Sequence, residues 1–317
     1  MQDKNILNKI KTFHTEIRAE YLNQYADDED MDDVICYSPF TFRNKSEVGK
    51  TLDEWSQQAL IADSYKYAAK EYGINDVDLT INAIGTVRTT ILEGPITVSD
   101  AFDACSLGVG GDGSSGHPLC LVYVSGKDLK TFVELETSFG PLKEAMKLAY
   151  NGLEIKWNNN RMLLDKVTDI KLKRDDGSLQ DIEDDKTYKV VTNVYSLNML
   201  NSLNSLSKGL IKIDAKDADG NVVDDFYKFS IKKQNGQELK EWVAFKDYLK
   251  YLKTIPSEYS EAMGRKVNTN EGGFAIFVNP GPSTIIISAI VLVLLVIIVL
   301  IVRVIIKKVK NPKKTKK

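Results

Sequence analysis

The side chains that most often carry chemistry are sparse in this chain, and their spacing is poor. It has two histidines, His14 and His117, far apart in sequence and without a partner at metal-ligand spacing. Two imidazoles cannot furnish a typical dinuclear phosphatase centre, which needs several His and Asp ligands together. The three cysteines, Cys36, Cys105 and Cys120, show no CxxC spacing and read as free thiols, with one Cys105–Cys120 bridge as the alternative. Gly108-Val-Gly-Gly-Asp-Gly-Ser-Ser-Gly116 is glycine-rich enough to bring backbone amides to a phosphate. It lacks the Gly-Lys-Ser/Thr ending of a phosphate-binding loop, so a flexible loop is the plainer reading. Asp217-Ala-Asp219-Gly220 hints at a calcium loop, but Ala215 and Phe226 would fill the first and twelfth ligand positions, so a hairpin turn is expected. No serine elbow, Cys/His signature or kinase-type loop is present. The residues by themselves therefore display no catalytic apparatus.

The elements that would position a site mix two periodicities. Helical spacing of apolar residues covers 2–24 and 47–72, the latter ending at Gly73, a good glycine for a helix C-terminus. Further helices are expected at 99–104 with Ser99 as N-cap, and at 126–137, 195–203 and 239–253. Strand-like runs fall at Val77–Ile84, Thr86–Leu92, Pro118–Val124, Leu153–Trp157, Val167–Leu172, Tyr188–Thr192 and Leu210–Ile213. Asp-Gly pairs at 176–177 and 219–220 read as hairpin turns. Strands and helices do not alternate strictly, so the expected fold class is α+β. The acidic run at 26–33 reads as a solvated loop.

Charge is segregated along the chain. Of 42 basic and 44 acidic side chains, eight basic residues and no acid lie in Arg303–Lys317, leaving residues 1–302 strongly acidic. Such a surface makes a poor nucleic-acid partner, because phosphate contacts need Lys and Arg. Ile285–Val302 is an uncharged apolar run of 18 residues. As a helix it is about 27 Å long, close to the ~30 Å hydrocarbon core of a bilayer. The basic tail after it should stay cytoplasmic, which puts the large domain outside. The chain opens MQDKNILNKIKTF, however, with no apolar core of a signal peptide. A reading frame that continues upstream of Met1 is expected; a tail-anchored protein with a cytosolic domain is the alternative.

Three segments in order resemble the C-terminal domain of the bacterial 5'-nucleotidase / 2',3'-cyclic-nucleotide phosphodiesterase family. They are Leu60-Ile-Ala-Asp-Ser-Tyr-Lys-Tyr-Ala68; Asn82-Ala-Ile-Gly-Thr-Val-Arg88 with Gly94-Pro-Ile-Thr-Val-Ser-Asp-Ala-Phe102, running on into Leu121-Val-Tyr-Val-Ser-Gly-Lys-Asp-Leu129; and Asp184-Asp-Lys-Thr-Tyr-Lys-Val-Val-Thr-Asn193. The resemblance implies a substrate-binding domain whose partner, an upstream metallophosphatase domain, holds two divalent metals; no cofactor is expected in this chain itself. It implies Arg88 as the anion-binding arginine, Asn82 as its neighbour at the phosphate end, and Tyr195 as a base-stacking aromatic. Arginine suits the role because its planar fork pairs bidentately with phosphate oxygens. The family's Asn-Gly-Gly is Asn82-Ala-Ile-Gly85 here, and the loop supplying a second stacking ring is replaced by 106–118.

The organisation this implies is a helical linker region (1–46), a 5'-nucleotidase C-terminal-like domain (47–255), a spacer (256–283), a transmembrane helix (284–306) and a basic cytoplasmic tail (307–317). The expected function is the nucleotide or phosphate-ester binding domain and membrane anchor of a surface hydrolase, inactive in isolation, with the lipid bilayer as a further partner. The alternative is a non-catalytic surface module that keeps the fold.

Overall fold

A four-stranded sheet, in the order Leu119–Ser125, Thr187–Asn193, Leu79–Ala83 and Leu148–Asn151, forms the centre of the protein, whose computed structural model describes residues 4–25, 29–48, 54–141, 143–206 and 212–310. In chain order the elements begin with α1 (Lys4–Glu20), β1 (Val34–Ser38), α2 (Lys45–Val48), α3 (Ser56–Glu71), β2 (Leu79–Ala83), β3 (Gly94–Thr97) and α4 (Val98–Cys105). There follow β4 (Leu119–Ser125), α5 (Gly126–Phe139), β5 (Leu148–Asn151), β6 (Leu153–Trp157), β7 (Val167–Lys173), β8 (Leu179–Asp181) and β9 (Thr187–Asn193). The chain ends with α6 (Val194–Leu206), α7 (Glu241–Leu252), β10 (Lys266–Asn268) and α8 (Pro282–Lys310).

Every residue of β2 is buried, so both faces of the central sheet are covered. Successive strand side chains point to opposite faces. Leu79, Ile81 and Ala83 join one apolar cluster with α5 and α6. Thr80 and Asn82 point the other way, where Thr80 donates to the Ala62 carbonyl of α3 at 2.6 Å. That cover contains α3, α4 and α7, packed around Trp55, Tyr65, Trp242 and Phe245. β2 runs parallel to β9, and β4 and β5 flank the pair antiparallel. A second sheet, β10-β6-β7-β8, and the β1-β3 pair complete the domain.

The mixed α+β class is as expected, and most expected elements recur with shifted ends. Gly73 follows α3 at φ +79°, the left-handed conformation that glycine adopts freely. The Asp176-Gly177 pair joins β7 to β8, and Gly220 closes a turn in which Asp217 accepts from the amides of Asp219 and Asn221. The calcium-like residues thus cap a hairpin. All three cysteines are buried free thiols.

Several expectations change. The N-cap of α4 is Thr97, not Ser99: Thr97 and Asp100 form a reciprocal capping box. Thr86–Leu92 is no strand; a short turn of 3-10 helix at Ile84–Thr86 leads into an irregular segment. The helix expected over 47–72 is divided into α2 and α3, with 49–53 outside the described residues. Of the run Leu210–Ile213, positions 210–211 lie outside the described residues and Ile213 is not in a strand. Residues 26–28 of the acidic run and 311–317 of the basic tail also lie outside them. Residues 256–283, expected as a spacer, carry buried Tyr259 and the strand β10 paired with β6.

The helix α8 starts with Pro282 at its first position, where the missing amide costs nothing. Its stretch Ser283–Lys307 is long and apolar enough to cross a membrane, and its apolar side chains from Ile285 to Ile306 stand exposed.

Candidate functional site

Side chains distant in sequence meet around one buried carboxylate. Glu241, in the first turn of α7, accepts at Oε1 from the hydroxyls of Tyr65 (2.6 Å) and Thr86 (2.8 Å) and from the Asn82 amide (3.0 Å). Its Oε2 accepts from Asn193 at 3.1 Å. Glu241 has no solvent exposure, and burial pushes its carboxyl up to about 7 against the opposing pull of these four donors. The cluster ties α3, the end of β2, the end of β9 and α7 together. It thereby fixes two things at the surface: the turn 84–88 and the start of α6, where Asn193 Oδ1 accepts from the amide and hydroxyl of Ser196, both at 2.8 Å.

Arg88 emerges from that turn into solvent, its own amide held by the Ala104 carbonyl at 2.9 Å. Among the described residues no carboxylate lies within ion-pair distance of it. Its neighbour is another cation. Lys45 is half-buried, donates to the Val87 carbonyl, and has its pKa lowered first by burial and then by the charge of Arg88, with the carboxylate of Glu144 opposing both.

Tyr195 sits on the other side of the same turn. A Cβ on Gly85 would lie 2.4 Å from the Tyr195 hydroxyl oxygen, so the ring rests directly on the glycine backbone. The His117 ring is 6.0 Å from it, centroid to centroid, tilted by 48°. Tyr195, Lys143, Met146, Asn198, Met199 and Ser202 line an open pocket of about 180 Å³. An exposed arginine without an acidic partner, a second cation beside it and an aromatic pocket one turn away can hold an anion attached to a flat apolar group. The structure therefore brings Arg88 and Tyr195 to one turn of chain. Asn82 is not with them at the surface: it is wholly buried and bonded to Tyr65, Thr86 and Glu241. In this arrangement it supports the turn from beneath and does not face a ligand.

The glycine-rich segment forms neither a phosphate cradle nor a slack loop. Three of its glycine amides are spent within it, Gly110 on Ser114, Gly113 on Gly110 and Gly116 on Gly108. Gly108, at φ +85°, leaves room for the His117 ring, which a Cβ would meet at 2.2 Å. Asp112 is 2.8 Å from the fully buried ammonium of Lys240, which also pairs with Glu238 at 2.8 Å. Burial opposes ionisation of Asp112, but Lys240 and Ser114 hold it at about 2. Tyr21 and Tyr25, after α1, bind the loop at Ser115 and Ser114.

Lys45, Lys143 and Glu241 were not singled out in the sequence. Lys45 falls in the segment read as a linker, and nothing local distinguishes Glu241 from other acidic residues at helix starts. Among the described residues no three His, Cys, Asp or Glu side chains converge to hold a metal ion. The side chains gathered around the turn 84–88 do not fit a metal centre.

The sequence matches the family model "5'-nucleotidase, C-terminal domain" over residues 38–204. No curated protein matches it. Among solved structures, it is similar to a 5'-nucleotidase precursor from Thermus thermophilus, with TM-score 0.57 and 19% identity over 83% of this chain and 43% of that one. It is also similar to the NAD nucleotidase of Haemophilus influenzae, with TM-score 0.53 and 16% identity over 78% of this chain and 39% of that one. The chain thus spans less than half the length of these relatives, and at such identities the likeness speaks for the fold alone.

Proposed function

The chain belongs to the 5'-nucleotidase C-terminal domain family, and from that premise we propose that it is the substrate-binding part and membrane anchor of a surface phosphoester hydrolase. Its ligand is a nucleotide or a related phosphate ester. Arg88 takes the phosphate, Lys45 adds charge beside it, and Tyr195 offers its ring to the base. The hydrolytic metals and attacking water belong to a metallophosphatase domain outside these residues. Holding substrate and transition state equally well does not accelerate chemistry. The chain alone should therefore bind and not turn over. The helix α8 spans the bilayer, with the basic residues after it on the cytoplasmic side.

The observation that carries this reading is the pair Arg88 and Lys45, adjacent cations with no carboxylate on Arg88 among the described residues. Like charges placed side by side repel, Glu144 offsets that repulsion at Lys45 only, and an anion on Arg88 would relieve the rest. The test is calorimetric titration of the full chain in mild detergent with a nucleoside monophosphate, the nucleoside and inorganic phosphate. The monophosphate should bind most tightly, and Arg88→Ala should weaken it by about 1.5–3 kcal/mol, the range for hydrogen bonds to charged groups. No saturable binding of any phosphate ester, or equal affinity in the Arg88→Ala variant, overturns the reading.

A further inference from the structure

The segment leading into α8 is fastened to the domain along most of its length. The Thr269 amide donates to the Trp157 carbonyl at 2.8 Å, and the side chains of Asn158 and Asn160 donate to the Glu271 carbonyl, each at 3.0 Å. The turn between β6 and β7 then supplies a buried ion pair. Arg161 and Asp165 are 8% and 5% exposed, and the guanidinium meets both carboxylate oxygens at 3.0 Å. Each partner also grips the approach to α8. Arg161 donates to the carbonyls of Val278 (2.9 Å) and Asn279 (3.0 Å). Asp165 accepts from the Gly281 amide at 2.8 Å and from the Thr284 hydroxyl. A Cβ on Gly281 would lie 2.4 Å from Asp165 Oδ1, so the fit needs glycine there. A buried ion pair is sustained only when its remaining donors and acceptors are also bonded, and here the approach to α8 bonds them.

On the turn that carries this clasp and on the segment it holds, large apolar side chains stand exposed among the described residues. Leu163, between the two clasp residues, is 50% exposed; Phe274, Phe277 and Val278 are 91%, 56% and 58% exposed. The apolar run of α8 begins at Ile285, one residue beyond the clasped Thr284. With a helical rise of about 1.5 Å per residue, the clasp lies at the edge of the hydrocarbon layer. Aromatic and aliphatic side chains at that depth sit in the headgroup–acyl boundary, where burial is favourable.

We propose that the domain rests on the bilayer, with Leu163, Phe274, Phe277 and Val278 seated in the lipid interface and the Arg161–Asp165 clasp holding that face down. The binding turn is then carried at a fixed attitude to the membrane and does not swing on a tether. The proposal rests on α8 spanning the membrane, and its occupant is lipid because Phe274, Phe277 and Val278 lead along the chain directly into the apolar run that starts at Ile285.

The test places an environment-sensitive fluorophore at Phe274→Cys, at Phe277→Cys and, as a control on a distant hairpin, at Val222→Cys. The full chain is reconstituted in phosphatidylcholine vesicles, and labelling of the three native buried thiols is subtracted. Blue-shifted emission is expected at 274 and 277, with quenching by lipids spin-labelled near the headgroup well above that at 222, as for residues in the interface. Thr284→Val and Asp165→Asn should each reduce that quenching, the first without disturbing the buried pair. Water-like emission at 274 in a chain that resists alkaline extraction overturns the proposal and leaves the membrane helix standing. A chain released by alkaline extraction overturns both. A blue shift that persists in detergent and disappears on dilution assigns the patch to a second copy of the chain, and also overturns it.

Discussion

Replacing Glu241 by glutamine should flatten the loss of stability that the protein suffers as pH rises from about 5 to about 8, because that loss comes in part from one buried carboxyl. The folded-state value is pushed up to about 7 from an ordinary 4.5. Below the lower value the group is neutral folded and unfolded, and its stabilising contribution is fully present. Between the two, the folded protein keeps a proton that the unfolded chain has released, so stability falls as pH rises. The fall is complete above the folded value and amounts to about 3 kcal/mol at 1.36 kcal/mol per unit. Tyr65 and Cys105, the titratable neighbours, are pushed well above their ordinary values by burial and stay neutral throughout. His117 acts in the opposite sense below its ordinary 6.5, since burial and Lys240 lower its pKa. Its contribution cancels when variant and parent are compared. Glutamine keeps one oxygen for Tyr65, Thr86 and Asn82, but turns its amide toward the Asn193 amide, also a donor. That mismatch costs about 1–3 kcal/mol, the penalty of an unsatisfied buried polar group. The variant should therefore be the weaker protein at about pH 5 and close to the parent at about pH 8. Urea unfolding of the full chain in nonionic detergent, followed by tryptophan fluorescence, reads this directly, Trp242 being the next residue. Parallel stability–pH curves for Glu and Gln would refute the reasoning.

Tyr195→Ala should weaken binding of a nucleoside monophosphate by about 1–3 kcal/mol, the worth of one base–aromatic stack, and leave inorganic phosphate unaffected; calorimetry distinguishes the two. Gly85→Ala should do the same with the tyrosine still in place, because the new Cβ would stand 2.4 Å from the Tyr195 hydroxyl oxygen and lift the ring. Unchanged nucleotide affinity in that variant would show that the ring's seat on Gly85 is irrelevant to binding. Protease added to intact cells should digest the domain and spare the basic tail beyond α8; digestion only after lysis would place the domain in the cytosol.

Much of the architecture could be read from local pattern. Short strand-like apolar runs marked β4, β6, β7 and β9, helical spacing marked α3, α5 and α7, and glycine marked the turns at 73, 177 and 220. These signals survive in one sequence because each depends on neighbours within a few residues. The membrane-length helix is of the same kind, since its character is carried by an uninterrupted run. The short strands β1, β3, β5 and β10 are only three to five residues long, and what makes them strands is a partner far along the chain. Asn82 shows the same limit at the site. A motif resemblance set it beside Arg88 at the phosphate, yet in the fold strand alternation turns it inward to Glu241, 159 residues away. Tyr195 on Gly85, Lys45 beside Arg88 and the Arg161–Asp165 clasp on residues 278–284 likewise join segments that share no local pattern. Sequence periodicity specifies which face of an element is apolar; which polar groups meet across those faces is decided only when the elements pack.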